Sequence, residues 1–183
     1  MKKGKKKPAV RIRKSVQELI PLVDFDADKG FFYTGDGCLD LIQITSKDLV
    51  NASADEVEYD CLKFAKLYKT YESDLKIIAL NFPCSTDRQQ EFLNYKMQNT
   101  ANAVYQSYLQ RCIDELVWIG KHDTTREYYF MIFAKTIEEL EKNLLTIQSV
   151  LGLGKSGMVK KISLEKKQQI FFKLANKCSV IFG

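Results

Sequence analysis

The run Gly152-Leu153-Gly154-Lys155-Ser156 has the residue types that bind phosphate: glycine amides to cradle oxygens, a lysine for the terminal charge and a hydroxyl for a metal ion. The complete pattern also needs a glycine five residues before the one that precedes the lysine, and Ser149 stands there. The setting is reversed as well. A phosphate loop leads from a strand into the helix whose N-terminal amides and dipole hold the anion. Here a helical pattern over Thr136–Leu151 comes first and a strand pattern over Met158–Ile162 follows. The segment reads as a glycine-rich helix stop, and no catalytic residue, nucleotide or other cofactor is expected.

Arg126–Phe133 (REYYFMIF) matches the aromatic octapeptide of RNA-binding sheets at Arg126, Tyr128, Phe130 and Phe133, but Glu127 and Tyr129 replace its two small residues. Alternation puts Tyr128, Phe130 and Ile132 on one face and Tyr129, Met131 and Phe133 on the other. That is the pattern of a strand packed on both sides rather than an open stacking platform. His122, the single histidine, sits beside Asp123 in an expected loop, so neither a catalytic triad nor a histidine-rich metal site is expected. Asp24, Asp26 and Asp28 alternate like the start of a calcium loop, but Lys29 occupies its glycine position and Gly35 the position of its bidentate glutamate. No metal is expected there. Asp114 and Glu115 are expected to face water on a helix. The five cysteines (Cys38, Cys61, Cys84, Cys112, Cys178) are widely spaced with no C-x-x-C pair, and read as small core hydrophobes rather than a disulfide framework or zinc ligands.

Charge is segregated. The formal net charge is +5, with 28 Lys and Arg against 23 Asp and Glu in 183 residues. Lys2, Lys3, Lys5, Lys6, Lys7, Arg11, Arg13 and Lys14 account for eight of those cations within residues 1–14, which contain no acid. The rest of the chain therefore has 20 cations against 23 anions and is mildly acidic. Residues 1–14 read as a disordered basic arm, suited to an anionic surface: nucleic-acid phosphate or acidic lipid. No apolar run approaches the ~20 residues of a membrane span, and no apolar core follows the arm as in a signal peptide. A soluble, cytoplasmic chain is expected, with contact at the inner membrane face open through the arm.

Residues 15–183 read as one α+β domain. Hydrophobic residues at 45% are typical of a globular chain. Ser15–Ile20 reads as a turn or short strand ended by Pro21. Phe31–Thr34 and Cys38–Ile44 form a hairpin about Gly35-Asp36-Gly37. Ser53 and Glu56 open a helix with a reciprocal capping box, and Val57, Cys61, Phe64, Ala65, Tyr68 and Tyr71 mark its buried stripe. Leu75–Phe82 reads as a strand covered on both faces. Thr86 with Gln89 opens a long helix to about Ile119, with a bend or break at Asn99–Asn102 and Gly120 at its stop. Arg126–Ala134 is the strongest strand. Thr136 with Glu139 opens a helix stopped by Gly152. After the strand Met158–Ile162, Ser163 caps a last helix with the stripe Leu164, Phe171, Leu174, Ala175 and Cys178. The order ββ-α-β-α-β-α-β-α implies a single mixed sheet carrying helices.

From Ser15 to Cys178 this chain resembles the N-terminal domain of the CagE/TrbE/VirB ATPases of conjugation and type IV secretion, particularly those of Gram-positive conjugative elements. The resemblance rests on VQELIPLVDFDADKGFFYTGDGCLDLIQI, on the helix before LKIIALNF, and on the long helix leading into REYYFMIFAKTIEELEKNLLTI. The sequence ends at Gly183, where that family continues into a motor domain with Walker motifs, so no catalytic residue carries over. The resemblance implies a non-enzymatic docking or scaffold component of a conjugative DNA-transfer apparatus. Its partners would be other transfer proteins at the cytoplasmic membrane face, with the arm touching anionic lipid or DNA. The alternative is a nucleic-acid-binding accessory module using the arm and the aromatic strand. A small cysteine or carboxylate enzyme has no motif to support it.

Overall fold

Gly35 and Asp36 form the two-residue turn of a β-hairpin, which pairs Thr34 with Gly37 and Phe32 with Leu39. A side chain at Gly37 would meet the backbone oxygen of Ala134 at 2.2 Å, so the close approach of two strands explains this glycine. In the computed structural model, which describes residues 22–26, 28–154 and 157–176, the hairpin strands are β2 (Phe31–Thr34) and β3 (Gly37–Ile44). They are preceded by β1 (Leu22–Asp26) and followed by α1 (Ala54–Thr70), β4 (Leu75–Pro83), α2 (Asp87–Gln98), α3 (Ala103–His122), β5 (Thr124–Ala134), α4 (Ile137–Leu151), β6 (Val159–Lys160) and α5 (Leu164–Ala175). The sheet runs β1-β2-β3-β5-β4, with β6 joined to β3, and each of these strand pairs is antiparallel rather than mixed.

Alternation along the central strands builds two cores. Cys38 and Ile42 of β3 and Phe130 and Ile132 of β5 face Leu67 of α1 and Leu140, Ile147 and Leu151 of α4. Leu39 and Leu41 of β3 and Tyr129 and Met131 of β5 face the opposite way, onto Ile170 and Phe171 of α5. Helices thus cover both faces of the middle of the sheet, which is why the aromatic run of β5 is largely buried.

The capping signals set most helix starts. At Ser53 both bonds of the box are present: its Oγ accepts the Glu56 amide at 3.2 Å, and the Glu56 carboxylate accepts the Ser53 amide at 3.1 Å. Ser53→Ala should lower stability by about 1 kcal/mol in urea denaturation, with the fold unchanged by circular dichroism. At Thr136 the hydroxyl accepts the Glu139 amide, while Glu139 reaches back to the amide of Lys135.

Several expectations are corrected. β1 adds a strand at the first edge, beyond the segment 15–20, which lies outside the described residues, as do the arm 1–14 and Cys178. The inner line of α1 runs through Val57, Asp60, Phe64, Leu67 and Tyr71, leaving Cys61, Ala65 and Tyr68 exposed. Of the described cysteines only Cys38 is buried, and burial raises its thiol pKa. The interruption expected at Asn99–Asn102 is a break rather than a bend, and the chain reverses there. Asn102 caps a new helix by accepting the amides of Val104 and Tyr105, and α3 runs back antiparallel to α2 so that Thr86 Oγ1 donates to Leu116 O at 3.1 Å. Thr86 therefore makes no cap bond, and α3 continues through Gly120 to His122. β4 is an edge strand, bonded to β5 alone among the described strands, and is covered on one face only.

Candidate functional site

The far end of the sheet is bare on the α1/α4 side. Register places Ile77 opposite Phe130, Ala79 opposite Tyr128 and Asn81 opposite Arg126, all projecting to the face that α1 and α4 cover farther along. Phe64 of α1 packs near Phe130, but Ile77, Ala79, Asn81, Arg126 and Tyr128 lie beyond it and are exposed. Ile77 is 51% exposed and Tyr128 38%, and Tyr68 of α1 extends this apolar surface beside Phe64, whose ring lies 6.5 Å from those of Tyr68 and Phe130. The outer hydrogen-bonding edge of β4 adjoins this patch. An apolar surface beside an open strand edge is a feature that a monomeric domain ordinarily charges or covers. Lys76 supplies one charge at the start of this edge, Lys173 of α5 donates to Asn81 O, and Pro83 closes the far end.

The other side of the same edge is sealed. Tyr129 is buried and donates its hydroxyl to Glu127, whose carboxylate pairs with Lys166 of α5 at 2.8 Å. The Lys166 ammonium lies 3.5 Å from the centre of the Phe82 ring. Burial, then the bond to Glu127, raises the Tyr129 pKa. This network clamps α5 to the sheet and covers that face of the edge.

Candidate chemical groups do not converge. The amides of Gly152, Gly154 and Gly157 donate to Gln148 O, Val159 O and Gly154 O, so the glycine run spends them on its own turn. Gly152, with φ 77°, ends α4, and a Cβ on Gly157 would collide with Gly152 O at 2.2 Å. Lys155 and Ser156 lie outside the described residues. A cleft of about 680 Å³ between the base of the α2–α3 hairpin and α5 is lined by Cys84 and His122, but each is engaged elsewhere. Cys84 Sγ lies 3.0 Å from Thr125 Oγ1, whereas His122 stacks on Trp118 and its Nδ1 lies 2.8 Å from Trp118 O. Asp24 and Asp26 accept nearby backbone amides, and no group of three or more potential metal ligands occurs among the described residues. Asp114 and Glu115 are exposed on α3.

One charged pair, absent from any motif, is buried. Between the ends of β2 and β6, residues Asp40–Ile42 of β3 lack a strand partner on that side. Asp40 Oδ1 accepts the Leu41 amide at 2.7 Å there, and Lys167 of α5 reaches in to bind both Asp40 and Gly30 O. Burial raises the Asp40 pKa, with Lys167 opposing that rise. The arrangement fills a gap in the sheet.

Residues 27–177 match the model of the archaeal TraC-like domain family. The chain belongs to that family. The match spans most of the sequence and ties the TraC-like domain to conjugation-related transfer. It lies within the conjugal-transfer group suggested by the sequence and does not extend to a specific CagE or VirB assignment. Comparisons with curated proteins and with solved structures gave no match. No helix of the described residues is long and apolar enough to cross a membrane. The exposed apolar surface around Ile77 is not legible in the sequence because LKIIALNF is nearly continuous in apolar residues, and continuity does not reveal which strand lies at an edge.

Proposed function

We propose that this TraC-like domain is a non-enzymatic docking component of a conjugative DNA-transfer apparatus, binding another transfer protein across Ile77, Tyr128 and the open edge of β4. The observation that carries the reading is this apolar surface beside an unpaired strand edge, on a domain whose other sheet face is sealed. Strand addition fits it: a partner strand would gain backbone hydrogen bonds from β4 and cover Ile77. The cationic residues 1–14 would add a salt-dependent contact with lipid or DNA and hold the domain at the cytoplasmic membrane face.

The nucleic-acid reading has less support, because stacking needs exposed rings and Tyr129 and Phe130 are fully buried. The test uses purified transfer proteins encoded beside this chain. The full chain should bind one of them, and Ile77→Asp should weaken that binding about tenfold or more without loss of fold, since a charge enters an apolar contact. Equal binding by Ile77→Asp would overturn the docking face, and ATP turnover by the purified chain would overturn the non-enzymatic assignment.

A further inference from the structure

Among the described residues, one face of helix α3 packs inside the domain and the other is exposed. Leu109 and Ile113 are buried, with Leu116 and Gly120 beside them against α2 and Thr86. On the opposite side, Val104, Tyr108, Arg111, Glu115, Trp118 and His122 follow each other at intervals of four, three, four, three and four residues. That spacing is the seam of a coiled coil. All six are exposed: Val104 is 81% exposed, Tyr108 61% and Trp118 56%.

The order of residues along this seam is self-complementary when reversed. About position 113, an antiparallel copy sets Val104 against His122, Tyr108 against Trp118 and Arg111 against Glu115, each combination occurring twice. The flanking layers are aromatic and the central layer pairs opposite charges. Within one helix, Arg four residues before Glu is the weaker order for an ion pair, and neither residue makes a salt bridge among those of the described residues. Both charges are therefore available across an interface.

The geometry points to self-association: a second copy of the chain lies antiparallel along the outward face of α3, giving a two-fold dimer whose register is fixed by the two Arg111–Glu115 pairs. Such a contact is isologous and closed, so it yields dimers rather than filaments. One helix face per copy is small for an interface, so the dimer is concentration-dependent. It leaves the β4 edge free and stands independently of the docking proposal.

Sedimentation velocity of the full chain over a wide concentration range tests it. The wild type should dimerise reversibly. Arg111→Glu and Glu115→Arg, each placing like charges opposite one another, should each weaken the dimer about tenfold or more while circular dichroism and melting stay unchanged. Mixed in equal amounts, the two variants present an all-acidic layer to an all-basic one and should form a heterodimer. A wild type that stays monomeric at every concentration, reversals that leave the dimer intact, or a mixture that remains monomeric would each overturn the inference.

Discussion

Lys167→Met should destabilise the domain by about 3–5 kcal/mol at neutral pH, measured by urea denaturation, because it leaves the Asp40 carboxylate buried without its cation. The pair is valuable for its position. Lys167 and Asp40 are both largely buried, and they occupy the gap where β3 has lost β2 and has not yet met β6. The aspartate occupies the Leu41 amide, while the lysine neutralises the aspartate and binds the carbonyl of Gly30 in the β1–β2 turn. Lys167 thereby ties α5 to the gap in β3 and to the β1–β2 turn, at the opposite side from the Lys166–Glu127 pair. Asp40→Asn alone should also be costly, since the ammonium stays buried facing only neutral acceptors. The double variant Asp40→Asn/Lys167→Met should recover much of the loss, because it removes both charges and keeps an oxygen for the Leu41 amide.

The pH dependence has a definite sign. Burial raises the Asp40 pKa above its ordinary 3.8, so the folded state binds this proton more tightly than the unfolded state does. The contribution of Asp40 to stability is then greatest below the ordinary value and declines as pH rises through the raised one. Removing Lys167 removes the charge that restrains the rise, so the folded pKa climbs further. The penalty of Lys167→Met should be larger at pH 7 and shrink as pH falls toward about 4. A penalty independent of pH would mean that Asp40 carries no buried charge.

Phe130→Ala and Tyr128→Ala, two residues apart on the same face of β5, should separate stability from function. Phe130 is fully buried, faces Phe64 of α1 and belongs to the core beneath α1 and α4. Its removal leaves a cavity under both helices and should cost about 3–5 kcal/mol. Tyr128 lies at the bare end of the same row, and its replacement should change stability by about 1 kcal/mol or less while weakening partner binding. Thermal melts and binding isotherms on the two variants read both quantities. If Tyr128→Ala melts as early as Phe130→Ala, the end of the sheet is core and the docking face is misplaced.

What the sequence made legible is what local physics specifies. Ser53 with Glu56, Ser163 and the Gly35-Asp36 turn are short-range bonding patterns, and each appears where its residues place it. The buried alternation of β5 is equally local, since a strand with apolar residues on both faces must be covered twice. The failures share one cause: neighbours distant in sequence. Nothing in LKIIALNF states that β5 flanks it on one side only. The reversal at Asn99–Asn102 was visible as an interruption, but the choice of a hairpin over a bend depends on Thr86 meeting Leu116, thirty residues away. In α1, Leu67 rather than Tyr68 faces the core, a shift of one residue that apolar spacing in a helix with tyrosines on several sides does not resolve. Lys167 was hidden because a lysine does not count toward an apolar stripe, although its stem packs as one.

Hydrogen–deuterium exchange of the full chain, alone and with a bound transfer protein, reads the docking face most directly. New protection concentrated in the amides of Leu75–Phe82 and around Tyr128, with the amides of Gly152, Gly154 and Gly157 unchanged, is the expected result. Protection that spares β4 and appears elsewhere would contradict the assignment of this sheet edge as the site at which the domain docks.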